Sequence, residues 1–332
     1  MNAIRCFGRT DPGLVRENNE DAFLASRIGE SPMLLCAAID GVGGYEGGEV
    51  AASVAAGTLS SYVGSHLGEK PLVLVKAALQ EANDAVCKAK EARPDLSRMG
   101  CVASVALVDL EQRMAYIAHV GDTRIYLFGP EGLRKITHDH SLVGYMEDNG
   151  DITEFQAMNH PQRNEIERCL GISREDFARD GFVESGIYPI PPGGQLLLCS
   201  DGLTDCVPSR EIVDVLTAEM DVRGKVDALI EAAKDKGGKD NITVVLLELP
   251  AEPVTPAETQ DPAPADPDRG GKRLLWLLPV VFLLGMAAGY LIGQRRVPEK
   301  ELEEIKVQPV PDTMVSQSGT DSLDLDELII FE

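Results

Sequence analysis

The sequence predicts an α+β protein: a core of two mainly antiparallel sheets with helices packed outside, followed by a single C-terminal transmembrane helix. Strand-like runs rich in Val, Leu, Ile and aromatic residues follow one another without intervening helices, which argues against a doubly wound parallel sheet. Helical stretches lie between and around those runs. Far downstream, residues 274–293 (LLWLLPVVFLLGMAAGYLIG) carry no charge at all. A helix of about 20 residues rises roughly 30 Å, the thickness of a bilayer's hydrocarbon core.

Along the chain, strands are expected near 21–28, 33–40, 101–109, 113–120, 124–128, 195–200 and 242–249. Helices are expected near 46–67, 71–91, 139–149, 209–219 and 222–236. The stretch EVAASVAAGTLSSYV sets Ala and Val around most of its circumference, so that helix should be largely buried. Residues 1–250 thus read as one globular unit. Residues 251–273 are rich in Pro, Ala and acid without an apolar period, the composition of an extended, disordered linker. The apolar span follows, bounded by Lys272 and Arg273 on one side and Arg295 and Arg296 on the other, with Trp276 and Tyr290 near its ends. Pro279 would kink it. Gly285, Gly289 and Gly293 line one face, which suits a helix-mediated dimer as well as it suits the ordinary glycine richness of membrane helices. Residues 294–332 form an acidic tail expected to be disordered; its end, SLDLDELIIFE, reads as a solvated tail in preference to a docking motif.

A formal charge of −23 excludes general nucleic-acid binding, which needs clustered Lys and Arg. The 7 cysteines are scattered without a CxxC pair, so neither a disulfide framework nor a zinc knuckle is expected. The opening MNAIRCFGRTDPG lacks the apolar region of a secretory signal. The expectation is therefore a single-pass protein of the cytoplasmic membrane, with its globular unit in the cytosol and its tail outside.

Aspartates recur where apolar runs meet Gly or Asn: Asp40 in LLCAAIDGVGG, Asp122 in MAYIAHVGDTR, Asp201 in QLLLCSDGLTD and Asp240 in GGKDNITVVLLEL. Glu20 and Asp21 add a further acidic point in DPGLVRENNEDAF. Any one Asp-Gly is simply a turn. Together they imply more, because a carboxylate at a buried strand end is costly unless it is paired or holds a cation. An all-oxygen set with few histidines suits Mg²⁺ or Mn²⁺.

The order of these segments resembles the metal-dependent serine/threonine protein phosphatases of type 2C (PPM) in their compact bacterial form. The residues that carry the likeness are Thr10 to Asp21 (TDPGLVRENNED), Asp40 to Gly44 (DGVGG), Gly121 to Arg124 (GDTR), Thr137 to Leu142 (THDHSL), Ser200 to Asp205 (SDGLTD) and Asp240 to Val244 (DNITV). The resemblance implies a four-layer α-β-β-α sandwich with two Mn²⁺ or Mg²⁺ ions, and a third in some relatives. Asp40 would bridge the two ions, with the Gly41 carbonyl on one of them. Asp201 and Asp240 would complete the other, Glu20 and Asp21 would act on the second ion, directly or by holding its waters, and Asp122 would help hold the third. Arg16 would bind the phosphoryl oxygens through its planar fork. A water held between paired metals would attack phosphoserine or phosphothreonine. Partners would be phosphoproteins, including Ser/Thr kinases and their substrates near the membrane.

Many eukaryotic members carry histidine where this chain has Val42, which cannot donate a proton. That leaves the general acid unassigned, with a metal-bound water preferred. His138 and His140 are read as structural, and residues 144–186 correspond to the family's variable flap. Two alternatives stay open: a pseudophosphatase that binds phosphoproteins without turnover, and a membrane-anchored sensor whose tail transmits an outside signal.

Overall fold

The computed structural model describes residues 4–42 and 47–251, together with the backbone of 329–331. The chain opens with β1 (Ile4–Asp11), β2 (Asp21–Arg27) and β3 (Met33–Gly41), then two long helices, α1 (Gly48–Ser65) and α2 (Pro71–Ala92). β4 (Cys101–Asp109), β5 (Met114–Val120), β6 (Arg124–Gly129) and β7 (Gly132–Lys135) follow. Three short helices come next: α3 (Leu142–Asp148), α4 (Glu154–Met158) and α5 (Arg174–Phe177). β8 (Glu184–Pro189) and β9 (Gln195–Cys199) lead to α6 (Asp201–Thr204), α7 (Ser209–Thr217), α8 (Val222–Asp235) and β10 (Ile242–Glu248). β11 (Ile329–Phe331) comes from the tail.

The strands form two sheets, ordered β11-β1-β10-β9-β6-β7 and β2-β3-β4-β5-β8, with antiparallel pairing throughout. Their apolar runs are unbroken because both faces of the central strands are covered. On β3, Leu35, Ala37 and Ile39 pack with α1 and α2 in one cluster, while Leu34, Cys36 and Ala38 face the other sheet. On β10, Val245 and Leu247 join that inter-sheet layer, and Val244 and Leu246 pack under α7 and α8. The result is a four-layer α-β-β-α sandwich with three apolar layers. At about 25 cal/mol per Å² of apolar area buried, those layers supply most of the drive to fold.

The α+β class and its two antiparallel sheets agree with the sequence reading. Differences lie at the edges and in the loops. β1 reads poorly as a strand because Gly8 interrupts it, yet that glycine is where the Phe23 ring packs: a Cβ there would sit 2.5 Å from Phe23 Cδ2. β7 and β8 lie at sheet edges, where Gly186 and Pro189 are tolerated. The helix expected from 139 begins at Leu142, because the Ser141 side chain caps it by accepting from Gly144 N.

The expected transmembrane helix, residues 274–293, lies outside the described residues, as does the linker beyond Ala251. Among the described residues no helix is long and apolar enough to cross a membrane. The tail expected to be wholly disordered differs at one point: Ile329–Phe331 pairs antiparallel with Ile4–Cys6. β1 would otherwise leave its outer N–H and C=O groups unpaired at the sheet edge, and a short apolar strand covers those at its start, Ile4–Cys6.

Candidate active site

The β2–β3 hairpin sets Asp21 directly opposite Asp40. Next to Asp40, Gly41 donates its N–H to the Glu20 carbonyl at 3.1 Å. A Cβ on Gly41 would meet the Gly48 backbone at 2.5 Å and the Glu20 carbonyl at 2.6 Å, so only glycine lets α1 start this close to the hairpin. Glu20 N–H donates to Asn241 Oδ1 at 2.8 Å. Asn241 Nδ2 in turn donates to the carbonyls of Pro12 and Asn18, at 3.1 and 2.9 Å, fastening the N-terminal loop to the start of β10. Asp240 precedes that strand and Asp201 opens α6 straight after β9. Gly202 packs against the Asn241 carbonyl, which closes the two loops on each other.

Arg16, Glu20, Asp40, Gly41, Asp122, Asp201 and Asp240 line one cavity of about 100 Å³. Asp21 stands behind it. Its Oδ2 accepts from the hydroxyls of Ser200, at 2.8 Å, and Thr243, at 2.7 Å, while its Oδ1 is buried with no hydrogen-bond partner. Asp201 Oδ1 is orphaned in the same way. Arg16 Nη2 donates to Asp240 Oδ2 at 2.8 Å. Burial, then the neighbouring carboxylates, hold Asp40 and Asp201 well above the usual carboxylate range. Burial likewise pushes Asp21 and Asp122 to about 7. Glu20 is raised by burial and by Glu49. For Arg16, burial works against the charge, but Asp240 beside it prevails and raises the guanidinium.

A group of mutually repelling carboxylates with orphaned, buried oxygens is short of positive charge. Protons can supply it, and so can divalent cations. The donors are all oxygen, which fits hard ions such as Mg²⁺ and Mn²⁺ and does not suit soft ones.

A second group of potential ligands behaves differently. His119, His140 and Glu184 bring ligand atoms within 4.8 Å of one another. His140 Nδ1 accepts the Gly121 N–H at 3.1 Å, so the neutral ring carries its proton on Nε2. His119 Nε2 lies 3.1 Å from the His138 carbonyl, an acceptor only, and so also carries a proton. His119 Nδ1 faces the Ser104 hydroxyl at 2.9 Å, so neither ring offers a free lone pair to a metal. His138 Nδ1 pairs with Glu184 Oε1 at 2.8 Å. These histidines brace the loop before α3, as the structural reading of His138 and His140 expects.

Sequence reasoning missed several residues at the site. Asn241, Ser200 and Thr243 anchor it, and their only signal is that they adjoin Asp240, Asp201 and the start of β10. Asn164 and Ile166 also line the cavity, from the flap, and nothing local in the sequence marks them. Arg163 Nε donates to Asp205 Oδ2 at 2.7 Å, tying the flap to the end of α6.

Residues 15–246 match the family model described as Protein phosphatase 2C. The chain is 36% identical over 247 residues to the serine/threonine phosphatase stp of Listeria welshimeri, covering 72% of this chain and 94% of that one. It is 35% identical over 246 residues to the serine/threonine protein phosphatase PstP of Mycobacterium tuberculosis, covering 74% of this chain and 45% of that protein. The crystal structure of M. tuberculosis PstP/Ppp superposes with a TM-score of 0.65 at 34% identity, over 75% of this chain and 99% of that one. The catalytic domain of PstP in complex with 2 manganese ions gives 0.63 at 32% identity, over 74% and 98%.

Proposed function

The chain belongs to the protein phosphatase 2C family of serine/threonine phosphatases, and from that premise we propose that it hydrolyses phosphoserine and phosphothreonine in proteins with two Mn²⁺ or Mg²⁺ ions. The observation that carries the metal reading is the pair of orphaned buried oxygens on Asp21 and Asp201 at a cavity walled by Asp40, Asp122 and Asp240. A non-catalytic scaffold has no chemical need to bear that electrostatic cost, which disfavours the pseudophosphatase alternative.

In this reading Asp40 would serve both ions, the Gly41 carbonyl would serve one of them and Asp201 with Asp240 the other, Glu20 and Asp21 would act on the second ion directly or by holding its waters, and Asp122 would help hold a weaker third. Bound there, divalent ions supply Lewis acidity and neutralise the charge of a phosphate monoester. Arg16 stands at the cavity mouth, oriented by Asp240, with the rest of its planar fork free to clamp phosphoryl oxygens. Among the described residues the lining of this cavity contains no histidine or lysine, and Val42 occupies the wall, so neither residue type is placed there to protonate a leaving oxygen. With cations in place of the protons, Glu20 and the aspartates would be ionised and would orient water through oxygens that accept its hydrogen bonds.

The uncharged span 274–293 further supports a tether to the cytoplasmic membrane, with the catalytic unit in the cytosol, near membrane-bound Ser/Thr kinases and their substrates. The test uses the full chain with para-nitrophenyl phosphate and a phosphothreonine peptide, under Mn²⁺, Mg²⁺ or EDTA, beside Asp201→Asn. Hydrolysis should require the metal and drop by at least about a hundredfold in the variant. Tight Mn²⁺ binding without turnover would replace the enzyme with a phosphoprotein-binding module.

A further inference from the structure

A groove of about 550 Å³ opens beside the cavity and shares Asp240 with it. The flap helix α4 forms one wall, and the segment from α6 to α7 with the loop before β10 forms the other. Phe155 projects into this space from α4 and is 75% exposed, the most exposed large apolar side chain among the described residues. It is not loosely held. Glu154 next to it accepts from Ser209 N at 2.7 Å and Ser209 Oγ at 2.6 Å. Thr153 and Gln156 close a capping box around the same turn. A large aromatic carried on an anchored turn and left in water has the character of a docking anchor.

The charges of the groove point to its occupant. Lys236 is neutralised by Glu211 at 2.6 Å, Arg163 by Asp205 and Asp240 by Arg16, while Glu154 makes no salt bridge among the described residues and is held by Ser209. Lys239, on the loop between α8 and β10, is exposed and forms no salt bridge among the described residues. In a chain of net charge −23 it is a cation that lines the same groove as the apolar anchor and adjoins Asp240 of the candidate phosphate site.

We propose that this groove selects phosphoproteins in which an apolar side chain and an Asp or Glu flank the phosphorylated residue, the first packing on Phe155 and Met158, the second pairing with Lys239. The proposal rests on the phosphatase reading and adds the substrate preference to it.

The test compares kcat/KM of the full chain, with Mn²⁺, on matched phosphothreonine peptides. One set carries Leu and Glu on either the N- or the C-terminal side, a second carries Ala at those positions, and a third replaces Glu by Lys. Para-nitrophenyl phosphate, too small to reach the groove, serves as the reference. One placement of Leu and Glu should exceed the alanine peptide by about tenfold, the scale of one buried side chain. Phe155→Ala should bring that ratio close to one, and Lys239→Glu should reverse the preference between Glu and Lys peptides. Flat peptide preference with intact para-nitrophenyl phosphate hydrolysis would overturn the groove alone. Losses that run parallel on peptide and para-nitrophenyl phosphate in both variants would overturn it too. No metal-dependent hydrolysis of either substrate would instead remove the enzymatic reading beneath it.

Discussion

Asp21 and Asp122 are held at about 7, where an exposed aspartate titrates near 3.9, and that difference couples the site to the stability of the protein. Without metal, the folded state binds protons that the unfolded chain has already released. The stability these groups contribute is fully present below about pH 4 and is lost as pH rises through about 7. Metal-free protein should therefore melt several degrees lower at about pH 8 than at about pH 5, and saturating Mn²⁺ should remove most of that fall, since cations take the place of the protons. Asp201→Asn provides the control. It deletes one member of the repelling set, so the metal-free variant should melt higher than the parent at about pH 8 while losing metal-dependent hydrolysis. Differential scanning fluorimetry in EDTA across that range reads both effects; a pH-independent melting temperature in EDTA would sink the argument. The candidate residues themselves were legible in the sequence because Asp-Gly and Asp-Asn at the ends of apolar runs are chemically conspicuous. The orphaned oxygens were not, since which lone pair of Asp21 Ser200 and Thr243 occupy is decided by loops from distant parts of the chain.

At the scale of elements, legibility follows burial. β3, β4, β9 and β10 are covered on both faces and appear as continuous apolar runs, so their positions could be read directly. β7, β8 and the flap helices are edge or surface elements whose order comes from polar contacts between segments far apart in sequence. Arg124 shows the kind of contact involved. From the start of β6 it donates to Asp139 Oδ2, at 2.9 Å through Nε and 2.6 Å through Nη2, and to Glu147 Oε2 on α3 at 2.8 Å. Lys135 on β7 pairs with Asp148 at 2.6 Å on the same helix. The Asp139 side chain is only 4% exposed, so removing its arginine leaves a buried charge with Lys135 Nζ, at 3.3 Å, as its remaining ion-pair partner. Arg124→Met should destabilise the protein by about 3 kcal/mol in urea unfolding, far more than loss of a surface ion pair. Because α3 leads into the flap, the ratio of peptide to para-nitrophenyl phosphate turnover should fall as well. A loss below about 1 kcal/mol would show that water reaches the network and that it does not organise the flap.

For the molecule as a whole, two features of the C-terminal region pull against each other. β11 holds Ile329–Phe331 against Ile4–Cys6, on the catalytic unit. A single crossing by residues 274–293 would carry those same three residues to the opposite side of the membrane. Magnitudes decide between them. A three-residue ladder at an exposed edge gains roughly 1 kcal/mol per hydrogen bond at best, and less after the entropy of ordering a long tail is counted. A segment with Leu, Ile, Phe and Val at most of its positions gains several kcal/mol on insertion, and a spanning helix is effectively irreversible once in place. In a bilayer the span should therefore prevail and draw the tail off β1; in its absence the edge pairing is available. Protease added to the outside of intact cells should then trim the tail and leave the catalytic unit whole. A cysteine at Ser318 should react with an impermeant maleimide only from that side. In detergent-free extracts of a chain lacking residues 274–293, hydrogen exchange at Ile4–Cys6 should instead slow relative to a chain ending at Ala251. A tail protected in intact cells but cleaved after lysis would rule out the single crossing and leave the edge strand as the resident state.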